Sequence, residues 1–357
     1  MIGRHLPRII QDARRQAEQG VALTPPRPKD KISCLAVEVL VFLAVLVVGQ
    51  VVLGGLLSAL GLLPMLLADP EFGQALQFGL DPGGFSASEY AAVLAKSPQA
   101  KLVALYSTLG SIITCIFYCH FMEKRNLTAM GLGIGAAGAL RGHAIGAAGA
   151  LRGHAIGAAG ALRGYAIGFL TGVLMLTASL AICLLTGTLE YHGLNPSIPW
   201  ALLAAALGGF VIQGASEELL FRGQLLVSLA RSQSLVVAVG ISSLLFSLLH
   251  TANPGSSPLA LVNLFLFAVF AAVYFLKRGD IWGIAAFHTA WNFAQGSLYG
   301  TTVSGFEGFG SVFNFVATDF GSLLNGGDFG LEGGLAVSVV LLAGTITLLF
   351  LTRERVS

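Results

Sequence analysis

Leu259–Leu276 reads LALVNLFLFAVFAAVYFL, a run with no charged residue that is closed at once by Lys277 and Arg278. A helix of about 20 apolar residues crosses the ~30 Å hydrocarbon layer of a bilayer. Basic residues directly after such a run belong at its cytoplasmic edge. Outward from this segment the same pattern recurs at about 32–63, 101–122, 164–185, 198–227, 235–249, 281–298 and 335–351. The chain of 357 residues is 55% hydrophobic and 11% charged, where a soluble domain has about 25% charged residues. Its mean hydropathy is +0.79. These values exclude a soluble globular fold and predict an all-α, polytopic membrane helical bundle with about eight transmembrane helices.

The expected organisation is a basic cytoplasmic arm over 1–31, ending in Pro25, Pro26 and Pro28, then one integral membrane domain over 32–352. The arm reads as a solvated tail or as a segment lying on anionic lipid. A formal net charge of +2 is too small to imply nucleic acid. The loop 64–100 carries Asp69, Glu71, Asp81 and Glu89 against Lys96 and belongs outside; Glu123, Lys124 and Arg125 read as anchors at the cytoplasmic edge. Both termini are then cytoplasmic. Cys34, Cys115, Cys119 and Cys183 all fall in apolar stretches and read as small buried hydrophobes.

Residues 134–166 are a tandem triplication of an eleven-residue unit, IGAAGALRGHA twice and IGAAGALRGYA once, in the cytoplasmic connection. Its recurrence explains His143 and His154 without assigning them chemistry. Gly164, Gly168 and Gly172, four apart, predict a small-residue packing face on the helix that follows.

Three polar clusters interrupt the apolar segments: SEELLFR at 216–222, FSLLH at 246–250 and HTAWN at 288–292. Ionisable groups at membrane depth are costly and mark function by default. Helical spacing places Glu218 and Arg222 on one face as an ion pair, with the acid N-terminal to the base. Glu217 points about 100° away and is left for chemistry. His250 shares a face with Phe246, and His288 shares one with Asn292. A carboxylate, two imidazoles and an amide suffice to hydrolyse a peptide bond, the base taking a proton from water while fixed donors stabilise the oxyanion. A zinc site on Glu217, His250 and His288 is an alternative chemistry. A non-catalytic membrane scaffold and a proton-coupled transporter are alternatives of other classes.

In the order EExxxR, FxxxH, HxxxN these residues resemble the signature of the CAAX-processing and bacteriocin-processing intramembrane proteases, also called abortive-infection proteins, which include type II prenyl endopeptidases. The resemblance covers 200–292 by motif and sets a peptidase core at about 198–299. It implies that Glu217 and His250 activate water, that His288 and Asn292 form the oxyanion hole, and that Glu218, Arg222 and Phe246 support the site. It implies a peptide or protein substrate at the membrane, no cofactor, and a bacterial plasma membrane location. One difficulty arises from counting residues: Glu217 and His288 lie within about ten residues of the cytoplasmic ends of their apolar runs and His250 about fifteen from Leu235, a depth difference of roughly 10 Å.

Overall fold

The computed structural model of the protein describes residues 30–68, 97–133, 158–318 and 322–350, together with positions 7, 9–11, 13–14 and 28. Most of the acidic loop, and the repeat up to residue 157, lie outside the described residues.

Helix α1 begins at Lys31, capped by Asp30, whose Oδ1 accepts from the Ser33 N–H at 2.7 Å. It runs as Lys31–Leu46, a π-wound stretch Val47–Leu53, and Gly54–Ala68. Helix α2 spans Pro98–Met122, α3 Ala158–Leu185 and α4 Trp200–Ser232. Helix α5 is Leu235–Leu248 and α6 is Pro258–Arg278. Helix α7 covers Trp282–Phe293 and a π turn Ala294–Leu298, and α8 covers Leu335–Phe350. Five of these helices are long and apolar enough to cross a membrane, and α5 and α8 are shorter apolar helices. The helical membrane bundle expected from the sequence is therefore the fold.

Local chemistry sets the boundaries. Ser257 caps α6, its Oγ accepting from the Ala260 N–H at 3.1 Å, with Pro258 in the first turn, where no N–H is needed. Gly279 ends α6 at a φ of 71°, a left-handed cap open to glycine, and its N–H donates to the Phe275 carbonyl. The chain then turns directly into α7.

Helix α7 is the buried centre, every residue from Gly283 to Asn292 being shielded. The glycine face expected on α3 is the surface that meets it. A Cβ at Gly168 would collide with the Gly283 carbonyl, and one at Gly172 would stand 2.5 Å from the Phe287 carbonyl oxygen. On the other side of α7, Gly214 of α4 packs against Ala285 and Thr289. The bundle also has a small extramembrane element that the sequence did not announce, an antiparallel pair β1 (Leu189–Leu194) and β2 (Phe313–Ala317), registered as Glu190 opposite Val316.

At the end of α2 the charged residues Glu123 and Arg125 lie buried in an ionic cluster. Glu123 Oε2 is 2.5 Å from both Arg125 Nη2 and Arg231 Nη2, Arg231 Nη1 is 3.9 Å from Glu38 Oε1, and Arg125 donates to the Gly223 carbonyl at 2.9 Å. Helices α1 and α4 bring Glu38 and Arg231 into this cluster. The described part of the N-terminal arm is likewise neither solvated nor spread on lipid. Ile9, Ile10 and Ala13 are buried, and Arg14 donates to the carbonyls of Ala230 and Gln233, both at 2.9 Å, at the C-terminal end of α4. A cation there satisfies carbonyls that the helix itself cannot pair.

Candidate active site

Helix α4 delivers Ser216, Glu217 and Glu218 at mid-length, where α-helical winding passes into the π segment Leu219–Leu226. Such insertions recur at functional sites because they redirect side chains within a continuous helix. Arg222 Nη1 donates to Glu218 Oε1 at 3.1 Å, as the spacing of the two residues requires. Its Nη2 donates to the Ala268 carbonyl at 3.1 Å, and the guanidinium lies 5.0 Å from the centre of the Phe246 ring. Both charged groups are fully buried.

Glu218 has a second partner that helical arithmetic within α4 does not reveal. His288 of α7 donates from Nδ1 to Glu218 Oε1 at 2.8 Å. Its other nitrogen, Nε2, then faces Glu217, 3.8 Å from Oε2. At that spacing the two are not directly bonded, and a single water can reach both.

Glu217 is more open than Glu218, its side chain being 22% exposed. Its Oε1 accepts from Gln213 Nε2 at 2.8 Å, while Oε2 has no hydrogen-bond partner. Gln213 Oε1 in turn accepts from Asn292 Nδ2 at 3.0 Å. Sequence reasoning passed over Gln213, although its position one helical turn before Glu217 was a usable signal. Asn292 thus reaches Glu217 through Gln213.

His250 stands just past the end of α5. Its Nδ1 donates to the Phe246 carbonyl at 2.8 Å, so in the neutral ring the lone pair is on Nε2. Phe246 packs edge-on against Phe221 and lies 4.9 Å from the His250 ring, tying α5 to the π segment of α4. A cavity of about 130 Å³ opens between α1, α2, α4 and α5, and Glu217 and His250 both line it, with Gln50 and Thr108 on the facing wall. His288 and Asn292, each 4% exposed, lie behind Glu217 instead of lining this cavity.

Counted in residues, the offset between Glu217 and His250 closes. Helix α4 does not stop near Val227 but continues unbroken to Ser232, and α5 starts at Leu235. Glu217 is then fifteen residues from its end of the α4–α5 turn and His250 fifteen residues from the other.

The connection before α8 closes the outer end of α7. Glu332 is buried; its carboxylate accepts from Trp291 Nε1 at 2.9 Å, from the Ser304 N–H at 3.0 Å and from Ser304 Oγ at 2.6 Å. Among the described residues no three His, Cys, Asp or Glu side chains are placed to hold a metal ion, Glu217, His250 and His288 included.

Residues 199–294 match the family model described as type II CAAX prenyl endopeptidase Rce1-like. The chain carries an Rce1-like domain. No curated protein and no solved structure matches it. The Rce1-like domain opens at the start of α4 and closes in α7 two residues after Asn292, so it contains all three polar clusters. Its family is one of CAAX-type membrane endopeptidases, and the apolar helices make the chain a multi-pass membrane protein. The Rce1-like domain does not include α1 and α2, which supply the opposite wall of the cavity.

Proposed function

We propose that the protein is an intramembrane endopeptidase that hydrolyses peptide bonds of membrane-associated substrates with water activated by Glu217. The observation that carries this reading is the shared cavity of Glu217 and His250. A carboxylate and an imidazole nitrogen bearing its lone pair are both acceptors, so a water between them is held by both its protons with its oxygen lone pair free to attack.

His288 and Asn292 are the oxyanion donors in this mechanism. His288 already gives Nδ1–H to Glu218, so it donates from Nε2 only when both nitrogens carry protons, a state for which Glu217 and Glu218 supply the counter-charges. In the resting arrangement Asn292 Nδ2 gives one N–H to Gln213, and its second N–H donates a hydrogen bond to the developing oxyanion. Glu218, Arg222 and Phe246 fix the orientation of this group. The family supports a prenylated CAAX-ending peptide as the first substrate to try.

The experiment is cleavage of a farnesylated, internally quenched CAAX peptide by the full chain in proteoliposomes. Glu217→Gln, His250→Ala and His288→Ala should each abolish cleavage while inserting and extracting as the parent does. Undiminished activity in all three sinks the mechanism and leaves the scaffold reading in its place.

A further inference from the structure

The cavity wall facing Glu217 belongs to α1 and α2, outside the Rce1-like domain, and it carries two polar side chains, Gln50 of α1 and Thr108 of α2. The neighbours of Gln50 in its apolar run, Val47, Val48, Val51 and Val52, are all exposed, and Gln50 is exposed with them. An amide in such a setting is costly unless its polar atoms find partners. Half of that requirement is met within the protein. Ser111 Oγ donates to Gln50 Oε1 at 2.8 Å, and among the described residues the Nε2 of this exposed amide has no protein acceptor.

Backbone geometry fixes where this amide sits. Gln50 lies within the π segment Val47–Leu53 of α1. At this level α1 and α2 touch backbone to backbone: a Cβ at Gly110 would stand 2.6 Å from the Gly49 carbonyl oxygen and 2.7 Å from the Gly54 nitrogen. A Cβ at Gly49 would stand 2.8 Å from the Ser111 Cα. Glycines at both sides of the crossing let Ser111 reach Gln50, which lines the cavity while its side chain stays largely exposed.

A peptide drawn into a membrane cavity must be extended to present a scissile bond, and each of its carbonyls then needs a donor that lipid cannot supply. We propose that Gln50 binds the substrate backbone, its Nε2 donating to a peptide carbonyl next to the bond held over Glu217. Ser111 is a positioning residue that acts through Gln50. The inference rests on the peptidase reading above and extends the working site beyond the Rce1-like domain.

The test uses the same farnesylated quenched peptide and the full chain in proteoliposomes. Gln50→Met keeps the side-chain volume and removes the donor; it should raise KM about tenfold and leave kcat within about twofold, the signature of a uniform binding contact. Ser111→Ala should move KM in the same direction by less, Ser111→Thr should restore it, and the double variant should be no worse than Gln50→Met alone. Binding of the peptide to the Glu217→Gln protein, followed by fluorescence anisotropy, should weaken about tenfold on adding Gln50→Met.

An unchanged KM and affinity in Gln50→Met, or only a lower folded yield, would make the Gln50 contact a helix clamp and overturn the assignment. If the parent does not cleave, or Glu217→Gln cleaves normally, the peptidase reading itself falls and takes this inference with it. Loss of cleavage in Glu217→Gln beside unaltered kinetics in Gln50→Met rejects Gln50 alone.

Discussion

His288 is bound to Glu218, Nδ1 to Oε1 at 2.8 Å, across the interface of two helices. The same oxygen receives Arg222. One buried carboxylate therefore holds both the cation of its own helix and the imidazole that faces Glu217.

That double duty separates Glu218 from Arg222 as mutational targets. Arg222→Ala leaves Glu218 buried with one partner fewer and is expected to cost about 3–5 kcal/mol, read as loss of folded yield and thermal stability in detergent. Glu218→Gln keeps the size and one acceptor; it should fold better than Arg222→Ala but lose kcat as His288 loses its anchor. Equal stability losses with normal kcat in both would show that the His288 contact is idle.

Gln213 should behave as part of the site. Gln213→Leu strips Glu217 of its one direct donor and leaves the Asn292 amide unpaired. Cleavage is expected to fall about tenfold or more in kcat, with thermal stability within about 1 kcal/mol of the parent. A change confined to stability would reduce Gln213 to a packing residue.

The glycine seam between α3 and α7 predicts an intolerance unrelated to chemistry. Gly168→Ala forces the two backbones apart at the Gly283 carbonyl and should destabilise by about 1–3 kcal/mol, and Gly168→Leu should prevent assembly. Measurement of monodisperse yield after extraction checks this directly, and normal yield for the leucine variant would contradict the packing.

The ionic cluster of Glu38, Glu123, Arg125 and Arg231 is shielded from solvent, so high salt should not weaken it as it would a surface pair. Glu123→Ala leaves two arginines without their shared carboxylate, with an expected loss of about 3–5 kcal/mol. A melting temperature indifferent to this substitution would show that the cluster carries no stability.

Metal dependence is checked by exhaustive chelation, which is expected to leave cleavage unchanged under the glutamate mechanism. Loss of activity restored by added zinc would replace that mechanism.

The positions of the helices were legible because each is a run of apolar residues about as long as the bilayer is thick, and the Glu218–Arg222 pair was legible because both ends lie on one helix. What could not be read were contacts between elements. Read from sequence alone, α4 ends at about Val227, since nothing within α4 reveals Glu123 arriving from α2 to pair with Arg231. This shortens α4 and with it the residue count from Glu217. Gln213 and Gln50 were each visible as lone amides in apolar runs, but the first finds its meaning through Asn292 and the second through Ser111, on neighbouring helices. The fold followed from composition; the network of the site needed the packing.

Glu217 and His250 are counted from the two sides of one short turn, Gln233 and Ser234, at equal distances along α4 and α5. A hairpin of this kind translates as a unit when the surrounding bilayer thins or thickens. The two groups then rise or sink together, and the gap between them stays constant. Lipid thickness can alter which bond of a passing peptide is presented, without altering the pair that receives it.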